Sequence, residues 1–289
     1  MKHLIGAITL SSALLAQITN YTALDGCFYY HNQEYKLLRA FQQNAKDYLL
    51  VANTSTLQTF KVAKFPYKKE LCSNSKYQYL LDKSTQAPYP LHNDGIIANP
   101  SGVTLTTDLC PSTKKGFEKG LYETLFKTFP QPVPVTIFIT KRWIQKHYKE
   151  FKELQKWEKE KKLAITWGNH SAYHHYRFHV PDSKNYVLSP KENFKKDVFD
   201  LEKILLENGI TPSVFFRFPG LVSNKKRVEE LKALGLIAIG ANSWLAIGQK
   251  LKDDSIILLH GNKNEPAGIK LFFKLLQEQK IHELRPLLE

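Results

Sequence analysis

In the second half of the chain, short apolar runs alternate with amphipathic stretches. The runs at residues 103–106, 133–139, 163–166, 214–216, 236–239 and 256–259 have the length and continuity of strands buried on both faces. Between them, Ser189-Pro190-Lys191-Glu192 reads as a capping box with proline in the first helical position. Phe194, Val198, Leu201 and Leu205 follow at helical spacing up to Gly209. Residues 223–235 repeat that design with Val228, Leu231 and Leu234. Strand and helix in strict alternation predict an α/β fold with a parallel sheet or a (β/α) barrel.

The pattern differs upstream. Residues 27–91 are rich in Tyr, Phe, Leu and Val, and the segments 48–52 and 57–62 flank the polar Asn53-Thr54-Ser55-Thr56, which predicts two strands around a turn. Pro88, Pro90, Pro100 and Asn93-Asp94-Gly95 mark a linker over residues 87–102. The expected division is a signal peptide at 1–16, a small β-rich module with its linker at 17–95, and the barrel domain at 96–289. The leader rests on Met1-Lys2-His3 followed by apolar residues 4–16, with cleavage after Ala16; an uncleaved anchor is the alternative. With that leader the expected location is exported, periplasmic or extracellular, and no later segment reads as a membrane span.

A chain of 289 residues accommodates one large domain and an appendage. Lys and Arg number 41 against 27 Asp and Glu, a formal charge of +14, which favours an anionic partner. The basic residues are dispersed, without an arm, an aromatic-basic motif or zinc-finger spacing, so nucleic acid is not expected and an acidic cell-envelope polymer is. Cys27, Cys72 and Cys110 suit one disulfide and one free thiol in an oxidising compartment. Pairing Cys27 with Cys72 would staple the small module; the other pairings and the reduced form stay open.

In a parallel α/β fold, reactive side chains collect where strands end. Asp108, His170 with His174, Arg217 and His260 all follow predicted strands. His170 and His174 have the i, i+4 spacing that points two imidazoles the same way in a helical turn and suits a transition metal. Singly, each has a plainer reading: a solvated histidine loop, a helix cap, a structural ion pair, a core histidine.

Taken in order, the set resembles the polysaccharide deacetylases, the carbohydrate-esterase family with the NodB homology domain, over residues 101–289. Val103-Thr-Leu-Thr-Thr-Asp108-Leu-Cys-Pro111-Ser112 is similar to the family's Thr-Phe-Asp-Asp-Gly-Pro-Ser element. Gly168-Asn169-His170-Ser171-Ala-Tyr-His174 resembles its His-Ser/Thr-x-x-His motif, Phe216-Arg217-Phe-Pro219-Gly220 its Arg-x-Pro element and Ile257-Leu-Leu-His260 its Leu-x-His element. The resemblance implies a distorted, incomplete (β/α) barrel. It also implies metal-assisted hydrolysis of N-acetyl groups on a GlcNAc-containing polysaccharide such as peptidoglycan. A divalent ion, zinc with cobalt or nickel as alternatives, would sit on His170, His174 and a carboxylate. Asp108 would act as base, Arg217 would orient it and His260 would protonate the leaving amine. Pro219 and Trp244 would contact the sugar.

Two departures from the family pattern stand out. Leu109 occupies the place of the metal-binding aspartate, so Asp108 would bind the metal instead of acting as base, Cys110 on the same strand face would supply a thiolate, or the site would be inactive, in that order of preference. Asn242-Ser243-Trp244 offers no carboxylate, so His260 is expected to lack a partner. The alternative function is a non-catalytic glycan-binding protein on the same fold. An amidohydrolase for small non-sugar amides ranks third.

Overall fold

The structure, a computed structural model, describes residues 17–288; the leader expected at 1–16 lies outside the described residues. An N-terminal antiparallel sheet comes first: β1 (Ile18–Ala23), β2 (Cys27–Tyr30), β3 (Gln33–Gln43), β4 (Lys46–Asn53) and β5 (Thr59–Ala63). Its order is β1-β3-β4-β5, with β2 also on β3. The hairpin expected around residues 53–56 is β4 and β5, whose register pairs Val51 with Phe60. Helix α1 (Lys76–Lys83) closes the module, capped by Ser75, whose side chain accepts from the Gln78 N–H. Cys27 and Cys72 form the disulfide and Cys110 is free and buried.

The second part alternates β6 (Thr104–Leu109), α2 (Lys119–Thr128), β7 (Val133–Ile139), α3 (Lys141–Lys146), α4 (Tyr148–Lys159), β8 (Leu163–Asn169), α5 (Phe194–Glu207), β9 (Phe215–Phe216), α6 (Lys225–Ala233), β10 (Ile237–Ala238), β11 (Ser243–Trp244), β12 (Ile256–His260) and α7 (Pro266–Gln277). The seven strands form one parallel sheet, β10-β9-β8-β7-β6-β12-β11, curled into an open half-barrel. Helix α5 starts later than the sequence predicts: Asn193 caps it through the Lys196 N–H, and the segment around Ser189 is a turn. The proline therefore ends a loop instead of opening the helix.

Period-two alternation sorts the strand residues between two cores. On β6, Leu105 and Leu109 face outward into the cluster that holds Leu121 and Leu125 of α2 and Phe272 of α7. On the other face, Phe138, Phe215, Ile237, Ile256 and Leu258 fill the lumen and join Leu38, Phe41, Leu50, Tyr77 and Leu80 of the N-terminal module in one apolar cluster. Each such side chain contributes about 1.5–3 kcal/mol by leaving water, so the module is packed as part of the barrel's own core. Residues 87–102 are also tied down, with Ile96 bridging Ile239 and Ala98 bridging Ser255.

Candidate active site

The ends of β6, β8, β9 and β12 meet over one open cavity of about 380 Å³. Its floor is polar because the even-numbered face of β6 carries Thr106 and Asp108 into the lumen, where Asp108 is 3% exposed. Arg217, just past β9, lies beneath it: Nη1 donates to Asp108 Oδ1 at 2.7 Å and to Thr106 Oγ1 at 2.7 Å, Nη2 donates to the Gly240 carbonyl and Nε to the Ile239 carbonyl. The guanidinium also stacks 4.2 Å above the Phe138 ring. Gly168 makes room for that ring, since a Cβ there would come within 2.5 Å of it. Every nitrogen of the guanidinium is therefore hydrogen-bonded, and among the described residues only one oxygen of Asp108 is committed.

His170 follows β8 and is 1% exposed. Its Nδ1 donates to the Arg217 carbonyl at 2.9 Å, which turns Nε2 toward the cavity as the ring's lone-pair nitrogen. His174 reaches the same place by a tight turn, not by the helical turn its spacing suggests. Ser171 and His174 take positive φ, and the Asp197 carboxylate on α5 accepts the N–H groups of Ala172 and Tyr173. The two rings are 4.9 Å apart, and the Nε2 of His174 is buried without a hydrogen-bond partner among the described residues. Burial pushes the Asp197 carboxyl up to about 6.

Cys110, two residues beyond Asp108 and so on the same face, brings its Sγ to 3.4 Å from His170 Nε2. The ligand atoms of Cys110, His170 and His174 all lie within 4.8 Å of one another. Asp108 stands beside this group, its Oδ2 3.8 Å from His170 Nε2. Burial alone would raise the Cys110 thiol, but His174, His170 and His260 outweigh it and hold it well below its ordinary range. Burial likewise opposes the charged form of His170, yet Asp108 and Cys110 leave its pKa raised.

His260 ends β12, and here the sequence-based expectation is corrected. Glu265, at the start of α7, places Oε2 2.8 Å from His260 Nδ1, an ion pair set off the N–H axis, while the same oxygen accepts from Trp244 Nε1 at 2.8 Å. Burial would lower the His260 pKa, but Cys110 and Glu265 carry it well above the ordinary value. The missing acid near Trp244 is supplied five residues after the histidine, across a loop that no strand pattern reveals.

Trp244, Tyr176, Tyr186 and Arg142 line the cavity around these groups. Pro219 is buried and lies outside the lining; its neighbour Gly220 is at the surface of the cavity, where a Cβ would come within 2.7 Å of the Tyr186 ring. The structure thus brings Asp108, His170, His174, Arg217, Trp244 and His260 together with Cys110, the second-ranked candidate for the missing ligand, and adds Asp197 and Glu265.

The chain is similar to several solved structures. Similar solved structures include a family 4 carbohydrate esterase from Bacillus anthracis (21% identity over 74% of this chain and 90% of that one, TM-score 0.46). A chitin deacetylase from the fungal pathogen Colletotrichum lindemuthianum (19% identity, 66% and 88%, TM-score 0.47) also matches. So does a CE4 family pseudoenzyme, also from Bacillus anthracis (16% identity, 75% and 73%, TM-score 0.45). Residues 97–239 match the family described as polysaccharide deacetylase, and this segment is a polysaccharide deacetylase domain.

Proposed function

We propose that this protein is an exported, metal-dependent N-deacetylase of a GlcNAc-containing polysaccharide, peptidoglycan or another envelope or extracellular glycan. The observation that carries the reading is the convergence of two ion-paired catalytic groups, Asp108 with Arg217 and His260 with Glu265, on the cavity that holds the His170 and His174 nitrogens. The polysaccharide deacetylase domain supports amide hydrolysis on a glycan. The Cys27–Cys72 disulfide fits an oxidising compartment, and the formal charge of +14 with Arg142 at the cavity fits an anionic polymer.

The residues fit a divalent ion. His170 Nε2 faces the cavity as a lone-pair nitrogen, and His174 Nε2 is buried with no hydrogen-bond partner among the described residues, the state expected of a histidine awaiting a metal. An ion there would supply Lewis acidity, polarising the acetamide carbonyl and acidifying water. The free oxygen of Asp108 takes the proton of the attacking water, while Arg217 holds the other oxygen and fixes the carboxylate plane. His260, set by Glu265, gives a proton to the sugar nitrogen as the C–N bond breaks, and acetate and a free amine leave. Trp244 offers its ring as a stacking surface while its N–H anchors Glu265.

Leu109, buried in the outer core where the family pattern has a carboxylate, favours a second reading, a glycan-binding protein without catalysis. Purified protein incubated with chitooligosaccharides and with peptidoglycan, with and without zinc or cobalt, separates the two. Metal-dependent acetate release that disappears in His170→Ala supports the deacetylase. Polymer binding without acetate from the metal-loaded protein supports the binder.

A further inference from the structure

We propose that Cys110 is the third protein ligand of the metal centre, a thiolate in place of the family's carboxylate; this deepens the reading of the cavity as a metal site. The strand geometry forces the exchange. Position 109 belongs to the outward face of β6, and its leucine is fully buried among Leu121, Leu125 and Phe272, with no path to the lumen. The next residue on the lumen side after Asp108 is Cys110. Its backbone is pinned there: Asn262 Nδ2 donates to its carbonyl at 2.9 Å, and Thr140 Oγ1 donates to the preceding carbonyl at 3.0 Å.

The distances fit a tetrahedral ion. Zinc–sulfur and zinc–nitrogen bonds of about 2.3 and 2.0–2.1 Å at tetrahedral angles separate sulfur from nitrogen by about 3.6 Å. The Cys110 Sγ to His170 Nε2 distance is 3.4 Å. His174 Nε2, buried and unpartnered, completes the triangle of ligand atoms. Asp108 is a poorer candidate, because Arg217 already holds one of its oxygens and the other stands 3.8 Å from His170 and outside the group. Assigning the third ligand to Cys110 frees Asp108 for the base role, so the chain keeps both functions of the family's aspartate pair with one carboxylate and one thiolate. The net ligand charge is also kept at one negative. An S,N,N donor set favours zinc, cobalt and other thiophilic ions over magnesium, calcium and manganese.

Cobalt(II) titration of the purified full chain tests this. The expected result is one cobalt per chain with a near-ultraviolet sulfur-to-cobalt charge-transfer band. Cys110→Ser should lose the band and bind zinc at least tenfold more weakly; Cys110→Asp should keep cobalt without the band. Cobalt bound by the wild type without a charge-transfer band, or zinc affinity unchanged in Cys110→Ser, overturns the assignment, as does failure of the wild type to bind cobalt at all. The two readings fail separately: a band without acetate release leaves the ligand standing and sinks the deacetylase, and zinc-dependent acetate release without a band does the reverse.

Discussion

Arg39 and Arg217 are both fully buried and both face a carboxylate, yet one pair is closed and the other is open. Arg39, on β3, grips both oxygens of Glu202 on α5 through Nε and Nη2 at 2.8 Å, and its Nη1 donates to the carbonyls of Leu38 and Leu234. Tyr21 donates to the same carboxylate. Nothing is left for another molecule, and the pair rivets the N-terminal sheet to the barrel. Arg217 grips a single oxygen of Asp108 and directs its other hydrogen bonds to the Thr106 hydroxyl and the Ile239 and Gly240 carbonyls, so the second oxygen faces the cavity. The same two residue types give a fastener where the carboxylate is saturated and a chemical group where it is left half free.

Breaking each pair should separate the two roles. The largest effect is expected from Asp108→Asn, which should lower acetate release by about 10²–10⁴-fold, the usual worth of a general base, while zinc stoichiometry in the purified protein stays at one per chain. Arg39→Met should leave Glu202 buried and unpaired and cost about 3–5 kcal/mol in urea unfolding, with acetate release per folded molecule unchanged. Cys72→Ser opens the 45-residue separation closed by the disulfide and should cost about 2–4 kcal/mol in the same assay. The smallest effect is expected from Glu265→Gln. With the carboxylate gone, His260 loses its proton at lower pH, so the basic limb of the pH–rate profile should move toward acid; an unmoved limb would show that Glu265 is only a structural partner of Trp244.

The barrel strands were legible because six of them coincide with or overlap short apolar runs, whereas β11 has two residues and carries no pattern. β3 escaped for the opposite reason. Its residues Leu37, Leu38, Arg39 and Phe41 are all buried, one face on the barrel and the other under the outer aromatic cluster, so the alternation that marks a half-exposed strand is erased. At the site, the residues that follow strand ends could be read in order along the chain. Glu265 and Asp197 could not, since each acts across a turn on a group from another segment. Cys110 was within reach of the sequence through its spacing of two from Asp108; what the sequence lacked was the position of Leu109 in the outer core, which only the packed helices define.

We propose that the open pair and the imidazoles above it hydrolyse an N-acetyl group. Mass spectrometry of a defined chitooligosaccharide, incubated with zinc-loaded wild-type protein, tests it most directly. The expected products are lighter by C2H2O for each acetyl group removed, with acetate in equal amount and neither formed by Asp108→Asn. An unaltered oligosaccharide, and peptidoglycan equally unaltered by the same protein carrying one zinc per chain, would contradict it.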